Sequence, residues 1–140
     1  MYSIVNPELK AKIKGLKMEY TDNPQPELLI PIPNPNIDTD YKIISTSPEF
    51  TSLCPLAPTQ PDFAEIIIEY YPDKFVVELK SLKFYLVSFR NVAIFHEAVA
   101  GKILNDLVSL IRPHKMTVTG IFKVRGGIYT TIVAKYGENA

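Results

Sequence analysis

The sequence predicts an α+β domain in which two helices cover one face of an antiparallel sheet. Two segments, one beginning at Leu79 and one from about Ile94 to Arg112, carry apolar residues at the spacing of an amphipathic helix. Strand-rich segments precede and follow these helices, an order typical of such a sheet. The predicted strands are rich in β-branched and aromatic residues and span 41–46, 63–71, 75–77, 116–124 and 128–135.

Residues 1–36 are predicted to form an irregular, proline-rich N-terminal arm. Prolines at five positions between Asn23 and Asn36 exclude a regular helix there and disfavour a central strand. An extended segment that follows the surface is therefore expected. Lys10–Lys14 alternates charged and apolar residues, which suits a solvated edge that is only loosely tied to the core.

The elements after the arm have clear boundaries in the sequence. The strand at 63–71 is followed by Pro72-Asp73-Lys74 and then by 75–77, which predicts an antiparallel hairpin. Pro113 ends the second helix, and Gly126-Gly127 permit a tight turn between the last two strands. The apolar faces consist of Leu82, Tyr85, Leu86 and Phe89 in the first helix and Leu104, Leu107, Val108 and Ile111 in the second.

The composition limits the class of protein. A chain of 140 residues that is 46% apolar is expected to form one domain, residues 1–140, around one core. Lysine and arginine together number 15, as do aspartate and glutamate, which argues against nucleic-acid or membrane binding. The start carries no leader pattern and no apolar stretch approaches 18 residues, so a cytoplasmic protein is expected. Open sheet edges favour a homo-oligomer.

Cys54 is the only cysteine in the chain. One thiol cannot form an internal disulfide or a multi-thiolate metal site, which leaves packing, ligation in a mixed site, redox sensing or nucleophilic attack. Asp62, eight residues later, favours nucleophilic attack. If Pro55 opens a helical turn, the amide dipoles of that turn also lower the pKa of the thiol.

Six groups of residues stand in a defined order over most of the chain after about residue 35. They are Phe50-Thr51-Ser52-Leu53-Cys54-Pro55, Gln60-Pro61-Asp62-Phe63, the run from Glu78 to Leu86 with Ser88-Phe89-Arg90-Asn91, Phe95-His96-Glu97, Asn105-Asp106-Leu107 and Arg125-Gly126-Gly127. As a set, they resemble the NADPH-dependent 7-cyano-7-deazaguanine reductases, the nitrile reductases of queuosine biosynthesis, a tRNA-modification pathway. The short, single-module form of the enzyme is the one that this chain resembles.

The resemblance implies a tunnelling fold (T-fold), related to GTP cyclohydrolase I, whose identical subunits join their sheets into an oligomeric barrel. Active sites then lie near subunit interfaces. It also implies that the Cys54 thiolate attacks the nitrile carbon to form a covalent thioimide, while Asp62 supplies the proton to nitrogen. Two NADPH molecules then reduce this group to the aminomethyl product, 7-aminomethyl-7-deazaguanine.

The remaining roles also come from the resemblance. It implies substrate contacts by Glu97, which anchors the guanine-like ring, and by His96, Phe95, Glu78 and Ser81. It implies NADPH contacts by Lys80, Lys83 and Arg125, and no metal. Taken without the resemblance, Cys54 is typical of a buried small hydrophobe, Asp62 of a turn residue, and Lys80 and Lys83 of a solvated helix face. No G-x-G-x-x-G follows a strand, so a Rossmann cofactor site is not predicted.

Two positions depart from the family pattern, and two other functions compete with reduction. Leu79 replaces a small polar residue, and the spacing from Cys54 to Asp62 is about one residue longer than in other short members. A GTP cyclohydrolase-like enzyme requires a zinc site with a cysteine pair and a histidine, whereas this chain has one cysteine. A non-catalytic purine-binding module does not require the thiol.

Overall fold

The structure, a computed structural model, describes residues 5–138. A short 3₁₀ turn at Pro26–Leu28 lies in the N-terminal arm. The helices and strands, numbered in chain order, are α1 Pro7–Lys14, β1 Pro31–Pro33, β2 Ile43–Cys54, β3 Ala57–Tyr71, β4 Phe75–Val77, α2 Leu79–Val87, α3 His96–Ile111, β5 Lys115–Arg125 and β6 Ile128–Tyr136.

The α+β class is confirmed. Strands β2, β3, β5 and β6 form a four-stranded antiparallel sheet in the order β2-β3-β5-β6. Both α2 and α3 pack on the same face of this sheet, because one buried cluster joins their apolar residues to the core-facing residues of β3 and β5. That cluster includes Ile66, Ile68, Met116 and Val118 from the strands, Leu82, Tyr85 and Leu86 from α2, and Val99, Ile103 and Leu107 from α3.

The hairpin predicted for 63–71 and 75–77 is wrong. Strand β4 pairs instead with β1 in a separate two-stranded sheet, with Ile32 opposite Val76. Strand β3 is already hydrogen-bonded to β2 on one side and to β5 on the other, so it has no free edge for β4. The short proline-flanked β1 has a free edge and takes that place, as a proline-containing strand can outside a sheet centre.

The N-terminal arm is more ordered than predicted over its described part, residues 5–36. Residues 10–14 do not form a strand edge but belong to α1, which is capped by a hydrogen bond from the Leu9 N–H to the Asn6 side chain. No residue of α1 is buried, which agrees with the prediction of a solvated segment. Leu28, Leu29 and Ile30 are buried. These three residues enter the interior because the prolines around them direct the chain inward before β1.

The arm also follows α2 closely. The backbone N–H of Gln25 donates to Ser88 Oγ at 3.0 Å, and the Arg90 guanidinium donates to the Tyr20 hydroxyl at 3.3 Å. Among the described residues, no helix is long and apolar enough to cross a membrane.

Candidate active site

Four side chains from different elements meet at one end of the four-stranded sheet. Cys54 ends β2, Asp62 lies near the start of β3, His96 begins α3 and Arg125 ends β5. The pairing of β3 with β5 places Phe122 opposite Ala64, so Arg125 extends toward the beginning of β3. Antiparallel register therefore brings together residues that are far apart in the chain.

Asp62 is the buried centre of this group. Its side chain is 4% exposed, and its two oxygens have different partners. Nε2 of His96 lies 3.1 Å from Oδ2, while the Arg125 guanidinium pairs with Oδ1. The His96 ring stacks on Phe122 with 3.9 Å between ring centroids, which fixes the imidazole beside the acid. Each oxygen of the buried Asp62 side chain thus faces a nitrogen-bearing side chain, which offsets part of the cost of burying it.

Cys54 is half-buried, and its surroundings favour the thiolate. The backbone N–H of Leu56 lowers the pKa of the Cys54 thiol most, against an opposing effect of desolvation, and the Ala57 N–H and the Arg125 guanidinium lower it further. The condition considered for Pro55 is not met, because Pro55–Leu56 is the turn of the β2–β3 hairpin and not the start of a helical turn. The backbone N–H groups at that hairpin turn nevertheless lower the pKa of the thiol, which is the effect expected of a helical turn.

The long spacing between Cys54 and Asp62 is absorbed by a bulge. Leu53 pairs with Pro61, but Cys54 pairs with Ala57, so residues 58–60 are extra on the β3 side. Asp62 stays in the ladder, opposite Ser52. Arg125 pairs with this acid and is also one of the groups that lower the pKa of the Cys54 thiol, so it acts on both residues.

Phe95 and Glu97 flank His96 at the rim of this group. Phe95 is the N-cap residue of α3 and is 54% exposed, while Glu97 lies exposed in the first turn. Both side chains are therefore accessible to solvent beside His96. Their predicted substrate contacts stay predictions.

Glu78 and Ser81 do not join this group within one chain. Glu78 caps α2, accepting hydrogen bonds from the N–H groups of Lys80 at 3.0 Å and Ser81 at 2.6 Å. Ser81 is fully buried and is bonded to the backbone of Ile30 and Glu78. The preceding Val77 N–H donates to the Tyr70 hydroxyl, eight residues along β3 from Asp62, or roughly 26 Å of strand.

The three residues predicted to bind NADPH are likewise in different places. Arg125 belongs to the Cys54 and Asp62 group. Lys80 donates to the Ile13 carbonyl at 3.2 Å, near the end of α1. Lys83 lines a cavity of about 540 Å³ between α2 and β2, together with Arg90, to which the sequence analysis assigned no role.

Sequence reasoning missed three contributors to the site. Ser52 lies opposite Asp62 in the strand pairing, and Phe122 stacks against the His96 ring. The Leu56 N–H lowers the pKa of the Cys54 thiol. A signal existed for Ser52, since its two-residue spacing from Phe50 places both on one face of a strand. Among the described residues, no three His, Cys, Asp or Glu side chains are placed to hold a metal ion.

Comparison with known proteins gives a consistent picture. The family model described as "QueF-like protein" matches residues 61–140. A Thermomicrobium roseum protein named NADPH-dependent 7-cyano-7-deazaguanine reductase is 50% identical over 109 residues, 78% of this chain and 84% of the relative. A Bacteroides thetaiotaomicron protein of the same name is 48% identical over 133 residues, 94% of this chain and 87% of the relative.

One solved structure also resembles the fold. The crystal structure of the archaeosine synthase QueF-Like in the apo form superposes with a TM-score of 0.62 at 24% identity. The match covers 72% of this chain and 96% of that one. At this identity the likeness concerns the fold alone.

Proposed function

Because the chain belongs to the QueF-like family, we propose that it is an NADPH-dependent reductase that converts 7-cyano-7-deazaguanine to 7-aminomethyl-7-deazaguanine, a step of queuosine biosynthesis in the cytoplasm. The relatives that it matches over most of their length carry the name of this reductase. The observation that carries the proposal is the position of Arg125, which pairs with the buried Asp62 side chain and also lowers the pKa of the Cys54 thiol.

The proposed chemistry begins at Cys54. The backbone N–H groups of Leu56 and Ala57 and the cation of Arg125 favour the thiolate, which attacks the nitrile carbon. The proton displaced from the thiol passes through Asp62 to the nitrile nitrogen, so the covalent product is a neutral thioimide. His96, held between Phe122 and Asp62, keeps the carboxylate in position.

Bound NADPH supplies the two hydrides that convert the carbon–nitrogen group to the aminomethyl group. Each hydride that adds to carbon is matched by a proton taken up at nitrogen. After the first addition the carbon expels Cys54 as a thiolate, a departure that its lowered pKa favours. Exposed Glu97 is placed to accept two hydrogen bonds from the N–H groups of a guanine-like ring.

The residues around the cavity between α2 and β2 fit the cofactor. Lys83 and Arg90 present two cations for phosphate groups, and Leu79 and Leu82 present apolar surface for a ring. Lys80 reaches the same side of α2 once it releases the Ile13 carbonyl. Leu79 is 66% exposed, so the position that departs from the family pattern faces a ligand with a side chain that cannot form a hydrogen bond.

The division of the site into two groups supports assembly. Glu78 and Lys80 lie at the opposite end of β3 from Cys54 and Asp62, so the complete set of predicted residues requires a second copy. Strands β2 and β6 are the two edges of the sheet. Joining β2 of one subunit to β6 of another builds the barrel of the T-fold, removes both edges, and brings α2 of one subunit toward Cys54 of its neighbour.

Mass spectrometry of the intact protein tests this function. Mixing the full chain with 7-cyano-7-deazaguanine in the absence of NADPH is expected to add the whole mass of the nitrile, because thioimide formation releases no leaving group. Cys54→Ala should abolish the adduct. Arg90→Met, which leaves the thiol group intact, should still form it. Wild-type protein that shows neither an adduct nor nitrile-dependent NADPH oxidation would refute the assignment.

A further inference from the structure

Ser52 is a buried polar residue to which no role has been assigned. It is 0% exposed, and its hydroxyl has no hydrogen-bond partner among the described residues. Its neighbours on the core face of β2 and β3 are apolar, with Phe50 two residues earlier and Ala64 opposite Phe50. Alanine would fill this position without leaving a buried hydroxyl unsatisfied, so a serine here calls for a physical reason.

The strand register supplies that reason. Ser52 lies directly opposite Asp62 in the β2–β3 ladder, and both residues are buried on the same face. Residues opposite each other in an antiparallel pair have Cβ atoms about 4.5–5.5 Å apart. Rotation of the short serine side chain about its first torsion therefore brings the hydroxyl within reach of the carboxylate.

The charged and titratable groups that face Asp62 are His96 from α3 and Arg125 from β5, which also contacts Cys54. Oδ1 is fully buried, and Arg125 is its charge partner. The sequence resemblance implies a contact between Arg125 and NADPH, and one guanidinium edge cannot pair with Oδ1 and with a phosphate at the same time. When Arg125 leaves, Oδ1 loses its donor in a site that water does not reach.

We propose that Ser52 is a positioning residue for Asp62, whose hydroxyl donates to Oδ1 whenever Arg125 turns away and so keeps the carboxylate aimed at the reacting nitrogen. The inference rests on the proposed function for its catalytic meaning. The contact itself requires only the residues of this chain.

A double-mutant cycle tests the contact without reference to activity. Thermal unfolding is compared at one pH for wild type, Ser52→Ala, Arg125→Met and the double variant. In the wild-type background Ser52→Ala should leave Tm unchanged or raise it, because the hydroxyl has no partner there. In the Arg125→Met background the same change should lower Tm by about 3 °C or more, because Asp62 loses the donor that replaced arginine. Equal shifts in the two backgrounds would overturn the inference.

The catalytic meaning is tested by turnover. Ser52→Ala should lower kcat about tenfold with little change in KM for the nitrile, since misplacing a catalytic group affects the chemical step. Ser52→Thr, which keeps the hydroxyl, should restore most of the rate. Ser88→Ala removes another buried hydroxyl, one bonded to Gln25 and Tyr85 away from the site, and should leave kcat unchanged. Full activity of Ser52→Ala would overturn the positioning role.

The two tests separate the inference from the proposed function. Wild-type protein without an adduct refutes the reductase, and the thermal cycle still decides whether Ser52 serves Asp62. If wild-type protein forms the adduct but Ser52→Ala shifts Tm equally in both backgrounds, the reductase assignment stands and the role of Ser52 is refuted.

Discussion

Replacing Arg125 by methionine is expected to make Cys54 less reactive at neutral pH. The guanidinium is one of the groups that lower the pKa of the thiol, after the backbone N–H groups of Leu56 and Ala57. Removing it raises that pKa, so a smaller fraction of the thiol is ionised at pH 7. Because the wild-type pKa is lowered, thiolate reactivity persists to lower pH than for an ordinary cysteine. As the pH falls, the Arg125→Met variant therefore loses thiolate reactivity at a higher pH than wild type does.

The size of the effect follows from the position of the thiol. Cys54 is accessible to solvent, so its interaction with the arginine is screened, and the two amide groups remain in the variant. The alkylation rate at pH 7 should therefore fall by several-fold, up to about tenfold, rather than by orders of magnitude. As the pH rises toward 10, the rates of wild type and variant should converge, because most of the thiol is then ionised in both.

The assay is direct because the chain contains a single cysteine. The rate of carbamidomethylation by iodoacetamide is followed by intact mass between pH 5 and pH 10, in the absence of substrate and NADPH. Arg125→Lys keeps the charge but not the planar fork, and should fall between wild type and Arg125→Met. Arg90→Met is the matched control, because Arg90 lies by the other cavity. If the Arg125→Met profile superposes on that of wild type, Arg125 does not act on the thiol.

Two further predictions concern assembly and stability. The first mixes equal amounts of Cys54→Ala and Lys83→Ala and unfolds and refolds them together. If each active site takes Cys54 from one subunit and Lys83 from another, the mixture should recover about a quarter of wild-type activity, because random assembly pairs two intact residues at that frequency. No recovery would place both residues in one subunit. Tyr70→Phe should lower the free energy of unfolding in urea by about 1–3 kcal/mol, because the buried Val77 N–H loses its acceptor. Tyr129→Phe, at a residue 78% exposed, should change it by less than about 0.5 kcal/mol, and a cost as large as that of Tyr70→Phe would contradict the reasoning.

Much of the secondary structure could be predicted because it depends on local periodicity. The apolar spacing of α2 and α3 placed Leu82, Tyr85, Leu104 and Leu107 in the core, where they lie. Gly126 and Gly127 adopt φ angles of 57° and 80°, as the predicted tight turn requires. Strand β2 was predicted too short, because Pro48 interrupts the strand pattern. The structure accommodates Pro48 at a register shift in an edge strand.

The candidate site was only partly accessible to the same reasoning. The motifs identified Cys54, Asp62 and His96, and the structure brings these three residues together. Arg125 was predicted as a cofactor ligand alone, and its contact with the thiol and the acid was not foreseen. That contact depends on the register between β3 and β5, which joins residues about sixty positions apart and leaves no local signal.

The amino-acid sequence by itself determined the types of the elements after the N-terminal arm, most of the helical core and a set of motifs specific enough to indicate the family. These properties follow from short-range spacing and from the chemistry of individual side chains. Only the tertiary structure decided that β4 pairs with β1, that Leu28–Ile30 are buried, and that Arg125 joins Cys54 to Asp62. The physical reason is common to all three, because which edge is free, which surface is covered and which charges meet depend on packing between distant segments rather than on local preference.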